Sequence, residues 1–433
     1  MHYQIASNVS YQWSYFPMPL GQLTVGDTPC SRVRSAARCA SWGISMKLLR
    51  LWVLLTLVGC ADRSTATAPA SFDQYRQQEL AHLERERRFQ NPDHTLELEW
   101  NAPREWVAQT PNGHGVLLVH GLGDSPGSFS DIGAQLASRG YRVRTLLLPG
   151  HGTQPSDMLE VNIADWRSTV AQQVALLRQD VDQVYLGGFS TGANLVLDYA
   201  MDDPRIAGLL MFSPAFKARN RFIWLLPWLA YVKPWLRDPM GPRPLQTPLR
   251  YQNIPTNGFA QFYQSSEAVR DQLADRTFDR PTLIVSAAHD SVVDVQFVQE
   301  AFAERFTHPA SRMIWYGDLA TDQQSPRILV RSDHLPADQI SQFSHMGVLF
   351  APDNRQYGRN GSEPVCWNGQ TDEGLQHCLA GNPVWYSDWG YREPGKVHAR
   401  LTFNPYFDWQ AEVMDQVMQA PAQQLSHTAS PAH

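Results

Sequence analysis

The sequence predicts an α/β fold: a mostly parallel sheet with helices on both faces, extended by an inserted cap. Three observations predict it. Apolar runs of strand length, such as GVLLVHG at Gly115–Gly121, are continuous rather than alternating, which is the pattern of a strand covered on both faces. Such runs alternate with segments of helical spacing over about 200 residues, an order that closes into a parallel sheet. The alternation breaks once, between Phe216 and Leu273, where prolines, tryptophans and arginines crowd together, and an insertion there belongs at the sheet edge. No internal repeat points to a solenoid instead.

The elements follow in order. Phe72–Phe89 is charged and helix-forming, and is expected to pack on the outside of the main domain. After the Gly115–Gly121 strand, SFSDIGAQLASRG sets Phe129, Ile132 and Leu136 at helical spacing, with Gly140 as a C-terminal cap. YRVRTLLLPGHG reads as strand and loop, IADWRSTVAQQVALLRQD as helix, and VDQVYLGG as strand. RIAGLLMFSPA at Arg205–Ala215, PTLIVSAAHD beyond the cap, and SRMIWY at Ser311–Tyr316 complete the strands. The main domain is expected over residues 72–433, with its cap at 216–273 and an extension at 351–433. Within the extension, CWNGQTDEGLQHC and NPVWYSDWGYREPG are too rich in Trp, Gly and Pro for an idle linker, and are expected to fold as a flap near the site.

Composition narrows the class. The 433 residues are 43% hydrophobic and 18% charged, enough to bury a core in one large or two smaller domains. A formal net charge of −6 offers no basic surplus to neutralise a phosphate backbone, which argues against nucleic acid as a partner.

The N-terminal region carries an address. From Met46, MKLLRLWVLLTLVGC supplies Lys47 and Arg50, an apolar run at Leu51–Val58, and small Gly59 before Cys60. These are the parts of a signal peptide over residues 46–59. The run is too short to cross a bilayer core, which takes about 20 residues as a helix. LVGC resembles the lipobox of bacterial lipoproteins. That resemblance implies a lipidated Cys60 as the mature N-terminus, a membrane partner through its lipid and, from Ala61, a place at the outer membrane of the cell envelope. A periplasmic or secreted protein is the alternative. Residues 60–71 then form a polar tether, and residues 1–45, which have no place ahead of a signal, read as an over-extended start.

Five cysteines fit export. Cys30 and Cys39 lie in the leader and Cys60 in the lipobox, which leaves Cys366 and Cys378 as an even pair for a disulfide. His377 beside Cys378 raises a metal site, but further ligands at metal spacing are missing, so no metal is expected.

The chemistry centres on GGFSTGANLVLDY, Gly187–Tyr199. Gly188-Phe189-Ser190-Thr191-Gly192 matches G-x-S-x-G between a strand and a helix, where flanking glycines permit a sharp turn that lifts the serine hydroxyl clear of the backbone. The loop lies at the carboxyl end of a parallel strand, where ligands bind. The helix that follows points its positive end at the place where an oxyanion would form. A turn serine without chemistry is the competing reading, and the strand–helix context favours a nucleophilic Ser190.

With these features, residues 113–350 resemble an α/β-hydrolase. HGLGDSPGSF, LPGHGT and an insertion after LLMFSPA are similar to the capped esterases, monoacylglycerol lipases and lysophospholipase-like enzymes of that family. The resemblance implies an acid and a histidine following the serine in chain order. Asp290, just past the PTLIVSAAHD strand, is the expected acid; Asp294, one helical turn on, reads as a helix-start residue. The histidine is expected at His345, where FSHMGVLF resembles the family's terminal segment, with His334 as the alternative and His289 as a weak one. The long spacing from Asp290 to His345 departs from the compact family pattern. Oxyanion donors are expected from the backbone N–H of Thr191 and, by resemblance, of Leu122, with His120 shaping that loop and His151 structural.

The cap carries Phe216, Phe222, Trp224, Trp228, Tyr231 and Trp235 among Lys217, Arg219, Arg221 and Lys233, without an acidic residue. Phe216, Trp224, Trp228 and Trp235 are expected to bind substrate, by lining an acyl pocket or meeting a lipid interface; aromatics that merely pack on one another are the alternative. The reading that results is a serine hydrolase of lipid acyl esters, needing no cofactor. A peptidase or acyltransferase with the same three residues, and a non-catalytic surface-binding protein on the same fold, stand as alternatives. Epoxide hydrolases and dehalogenases of the family carry aspartate where this chain has Ser190.

Overall fold

The computed structural model describes residues 69–420. The leader, the signal-like run and Cys60 lie outside the described residues. One sheet is built from β1 (Glu105–Trp106), β2 (His114–Val119), β3 (Arg142–Thr145), β4 (Gln183–Phe189), β5 (Ile206–Phe212), β6 (Thr282–Ala287), β7 (Arg312–Tyr316) and β8 (Ile328–Arg331). Their order is β1-β3-β2-β4-β5-β6-β7-β8, and every pairing is parallel except that of β1 with β3. The short edge strands β1 and β8 were not legible as apolar runs, because β1 is two residues and β8 is half solvated.

Period-two alternation explains why the inner strands are apolar throughout. Leu117, Val119, Val184, Leu186, Leu209 and Met211 face one layer of helices. That layer is α4 (Ile163–Leu177), α5 (Thr191–Asp202), α7 (Thr256–Asp275) and α8 (Val295–Arg305), which contribute Trp166, Val196, Leu273 and Phe302 to the same core. Val116, Leu118, Leu210, Phe212, Val285 and Ile314 face the other layer, with α3 (Ser130–Ser138) and α10 (Phe407–Met418). Each fully buried Leu, Val or Phe contributes about 1.5–3 kcal/mol of transfer free energy, so both layers are needed to hold the central strands. Helix starts are set by side-chain caps: Ser71 for α1 (Phe72–Glu86), Asn162 for α4 and Asp294 for α8, each accepting from an N–H of the first turn.

The end of the extension packs on the sheet. Phe350, Phe403, Phe407, Met414 and Val417 belong to the second core, and the Tyr185 hydroxyl on β4 donates to the Met418 carbonyl at 2.8 Å. Asn404 and Gln410 meet the buried Tyr316 hydroxyl of β7 at 2.9 and 3.0 Å. These contacts make the last helix a structural layer, recruited by apolar residues that the Trp- and Gly-rich stretches obscured. Between 351 and 407 the chain forms α9 (Asp372–Leu379) and the parallel pair β9 (Trp385–Ser387) and β10 (His398–Arg400). A disulfide joins Cys366 to Cys378, whose Cα atoms are 5.6 Å apart.

The excursion follows β5. Residues 216–255 are irregular apart from single turns such as α6 (Leu226–Leu229), whereas α7 returns to the sheet and packs on α5. β2 and β4 sit side by side in the sheet, but the chain leaves β2 towards β3 and leaves β4 towards β5. Their carboxyl ends therefore diverge and open a crevice.

Candidate active site

Ser190 stands in that crevice at the β4–α5 junction, with φ 55° and ψ −115°. A non-glycine residue in this conformation costs on the order of 1–3 kcal/mol, so the surroundings must enforce it. They do so by contact. A Cβ on Gly188 would lie 2.4 Å from the carbonyl carbon of Gly192, and one on Gly192 would lie 2.0 Å from the Val119 carbonyl oxygen. Both elbow glycines are required by the closeness of α5 to β2 and β4 rather than by chain freedom. The Ser190 N–H donates to Phe212 O at 3.0 Å, which ties the elbow to β5.

Asp290 and His345 converge on this serine. His345 Nε2 lies 3.0 Å from Ser190 Oγ, and His345 Nδ1 lies 2.6 Å from Asp290 Oδ2. The second carboxylate oxygen of Asp290 accepts from the Val292 and Val293 N–H groups at 2.8 and 3.2 Å, so the acid is held by its own loop. The histidine is held through its backbone: Ser213 Oγ donates to His345 O at 2.9 Å. All three side chains are nearly enclosed, with Ser190 8% exposed, His345 6% and Asp290 2%. The long Asp290–His345 spacing is accommodated by β8 and by the turn at Pro336–Asp338 before the buried run Ser341–Phe350.

The loop after β2 completes the crevice. A Cβ on Gly121 would lie 3.2 Å from Ser190 Cβ, so the Gly121-Leu122 backbone presses directly on the elbow. Thr191 is the first residue of α5, whose N–H has no partner inside the helix. Among the described residues neither the Leu122 nor the Thr191 N–H donates to another backbone carbonyl outside the helices. His120 shapes this loop: its Nε2 accepts from Leu148 N–H at 3.1 Å while Nδ1 faces Gly121 O at 2.9 Å. Burial lowers its pKa, which suits the neutral ring that this pattern requires. His151, buried beside it, is lowered further by burial and by His120.

The remaining sequence candidates are placed elsewhere. His334 is exposed and bonds to Ser341 O. His289 points away from Ser190 to Asp333, 2.5 Å from its Nδ1, and this carboxylate raises its pKa. Asp294 caps α8 and pairs with Lys217 at 2.8 Å. The cap aromatics divide. Phe216, just past β5, is fully buried and stacks on Phe306 in the sheet-face core. Trp235 is half-buried, whereas Trp224 and Trp228 are 52% and 75% exposed.

Sequence reasoning missed Ser213 and Asp388. Ser213, in FSPA at the end of β5, has φ 43° and was signalled only by a polar residue closing an apolar run. Asp388, from the extension, interacts with Asp290, and burial raises its carboxyl pKa with Asp290 adding to the rise and Arg400 opposing it. Nothing in its local sequence marks it. Surface concavities of about 820 and 810 Å³ are lined by other residues, so the hydrogen-bonded chain rather than cavity size identifies the site. Among the described residues no cluster of His, Cys, Asp or Glu could hold a metal ion, and no helix is long and apolar enough to cross a membrane.

Comparison with known proteins bears on the same region. Residues 111–320 match the family model described as serine aminopeptidase, S33. Over 101 residues the chain is 35% identical to the thermostable monoacylglycerol lipase of Bacillus sp. (strain H-257), a match covering 23% of this chain and 40% of the lipase. The matched stretch is thus less than half of that relative's length. Similar solved structures include the monoacylglycerol lipase of Paleococcus ferrophilus (20% identity, TM-score 0.40, 49% of this chain and 87% of that chain). Another is a soluble variant of monoglyceride lipase from Saccharomyces cerevisiae, in complex with a substrate analog (17% identity, TM-score 0.41, 50% and 81%).

Proposed function

Starting from a chain with the α/β-hydrolase fold, we propose that it hydrolyses carboxylic esters, of lipid acyl type, through an acyl-enzyme on Ser190. One observation carries the proposal: the unbroken series Ser190 Oγ, His345, Asp290, at 3.0 and 2.6 Å. A serine hydroxyl is a weak nucleophile alone and becomes effective when an imidazole removes its proton during attack. His345 Nε2 takes that proton as Ser190 Oγ bonds to the acyl carbon. Asp290 fixes the tautomer that leaves Nε2 free and stabilises the imidazolium. The carbonyl oxygen becomes an oxyanion beneath the N–H groups of Thr191 and Leu122; losing one such donor costs about 100- to 1,000-fold in rate in comparable sites. His345 returns the proton to the leaving alcohol, and water repeats the sequence to release the acid.

The resemblance to a monoacylglycerol lipase supports a lipid ester. So does the front of the cap, where Phe222, Trp224, Trp228, Tyr231 and Met240 are exposed beside Arg221 and Lys233, a composition suited to a lipid surface. On this reading Cys60 is the lipidated anchor at the cell envelope; Cys60→Ser would move the protein from the membrane to the soluble fraction, and retention at the membrane would remove the anchor from the account. The peptidase reading is favoured by the description of the matching family model. A fluorophosphonate should label the wild type and not Ser190→Ala, and p-nitrophenyl esters of graded chain length should be cleaved in preference to aminoacyl amides. Cleavage of amides alone would replace the esterase with a peptidase, and a folded but unlabelled wild type would replace both with a binding protein.

A further inference from the structure

A group of arginines borders the triad without being used by it. Arg243 interacts electrostatically with Arg237, Arg400 and Arg250, and Arg400 with Arg250, Arg237, Asp388 and Asp290. Arg250 Nη1 abuts the sulfur of Met346, the residue next to His345, and Arg219 Nη1 lies 3.5 Å from the Asp290 carbonyl oxygen. Like charges repel and lose hydration when brought together, so an assembly of this kind is incomplete without negative charge. Burial and the neighbouring guanidinium groups hold Arg243 down at about 9, and burial holds Arg400 down at about 10.

The protein supplies too few anions for the group. Asp388 answers Arg400, and Asp290 is engaged by His345. Among the described residues, Arg237, Arg243, Arg250 and Arg400 have no carboxylate within salt-bridge distance, and the buried Arg243 Nε has no partner. Arg243, Arg250 and Arg400 are nevertheless held in place. Arg250 sits on a turn closed by Thr247 N–H to Arg250 O at 2.8 Å and by Thr247 Oγ1, which accepts from Arg250 N–H at 3.2 Å. Arg243 donates to Gln252 Oε1 and Arg400 to Asn368 Oδ1, each at 3.0 Å. Guanidinium groups held by neutral acceptors keep their remaining N–H groups for an oxyanion, which they meet in a planar fork.

We propose that Arg237, Arg243 and Arg250 of the cap, with Arg400 of the extension, form an anion subsite beside Ser190, His345 and Asp290 that binds the oxyanion of a negatively charged ester. The inference rests on the ester-hydrolase reading for its substrate. Carboxylate and phosphate share the recognised chemistry.

The test compares kcat/KM of the full chain for 1-butyrylglycerol, 1-butyrylglycerol 3-phosphate and 3-butyryloxypropionate. The anionic esters should be preferred, and the anionic-to-neutral ratio should fall about tenfold in Arg243→Gln and in Arg250→Gln, the loss expected for one charge-assisted hydrogen bond. Arg243→Lys should restore part of the ratio, and Arg205→Gln, at an exposed arginine paired with Asp203, should not alter it. The arm with the larger loss identifies phosphate or carboxylate. A wild-type ratio near one, or a ratio unchanged in both glutamine variants, overturns the subsite. Should no ester be cleaved, the hydrolase reading has failed on its own, and calorimetry of butyl phosphate and butyrate with Ser190→Ala decides the subsite. Binding that disappears with Arg243→Gln supports it, and no binding of either probe overturns it.

Discussion

Two halves of the cap are held very differently. The rear half is stitched to the body: Gln246 Nε2 donates to Arg88 O, Asn101 Nδ2 to Pro248 O, Ser125 Oγ to Leu249 O and Tyr251 N–H to Gly123 O. Beneath it Arg87 pairs with Glu97 at 2.8 Å, both side chains buried, and reaches the Pro248 carbonyl at 2.6 Å. The front half, 217–240, is tied down only at its ends, by Arg219 N–H to Val292 O at 3.1 Å, the Lys217–Asp294 pair and Thr256 N–H to Pro234 O at 2.8 Å; between them the hydrogen bonds are those of local turns, and Trp228 and Tyr231 are 75% and 87% exposed. Local opening is easiest where few apolar contacts are buried, so the front half moves at least cost while the rear half keeps the crevice shape. The lesson is that anchored and exposed segments can share one insertion of about 40 residues, a loop length that is uncommon unless functional.

The largest effect should come from the floor that both halves cover. Asp290→Asn should leave the fold intact and lower kcat by about 10⁴, as loss of the tautomer-fixing acid does in comparable triads; activity within tenfold of wild type would remove Asp290 from the mechanism. Next, Arg87→Ala leaves Glu97 as an uncompensated buried charge and should destabilise the protein by about 3–5 kcal/mol, read by denaturant unfolding. A loss below about 1 kcal/mol would mean that the rear half is not anchored there. Trp228→Ser in the front half should change stability by less than about 0.5 kcal/mol, while lowering activity on emulsified esters more than on dissolved ones. Equal losses on both would place the ring in substrate binding proper.

The smallest effect concerns pH. Asp333 raises the pKa of His289, so the pair stabilises the fold fully below the unfolded histidine pKa of about 6.5 and loses that contribution as pH rises through the higher folded value. His289 is half exposed, so solvent screening keeps the effect small. His289→Gln should flatten the fall in stability from about pH 6.5 upward. An unchanged slope would show the pair to be energetically silent.

The sheet was legible because five of its strands, β2 and β4 to β7, are short and largely apolar runs, and the elbow because G-x-S-x-G sets glycines at fixed offsets where a Cβ would collide with neighbouring backbone. Asp290 was readable from its place after β6. His345 was readable only through its apolar context, since β8, the strand that absorbs the extra length before it, has an ordinary half-exposed composition. The cap aromatics could not be assigned from sequence: Phe216 and Trp228 belong to one composition, yet one is core and the other surface. The packing of the extension was not legible because its first half is polar and turn-rich, and the amphipathic α10 depends on contacts more than 200 residues away, such as Tyr185 with Met418. The arginine group arises from the same cause, joining residues 237–250 with 400.

That last contact has a consequence for biosynthesis. The second face of the sheet that delivers Ser190 is covered in part by α10, which packs on β6 and β7 and meets Tyr185 of β4 at Met418. A nascent polypeptide cannot bury those strand side chains in their native partners until residue 418 has cleared the ribosome. Truncation before α10 should therefore yield aggregates rather than a smaller active enzyme, and affinity tags are better placed beyond this helix than in front of it.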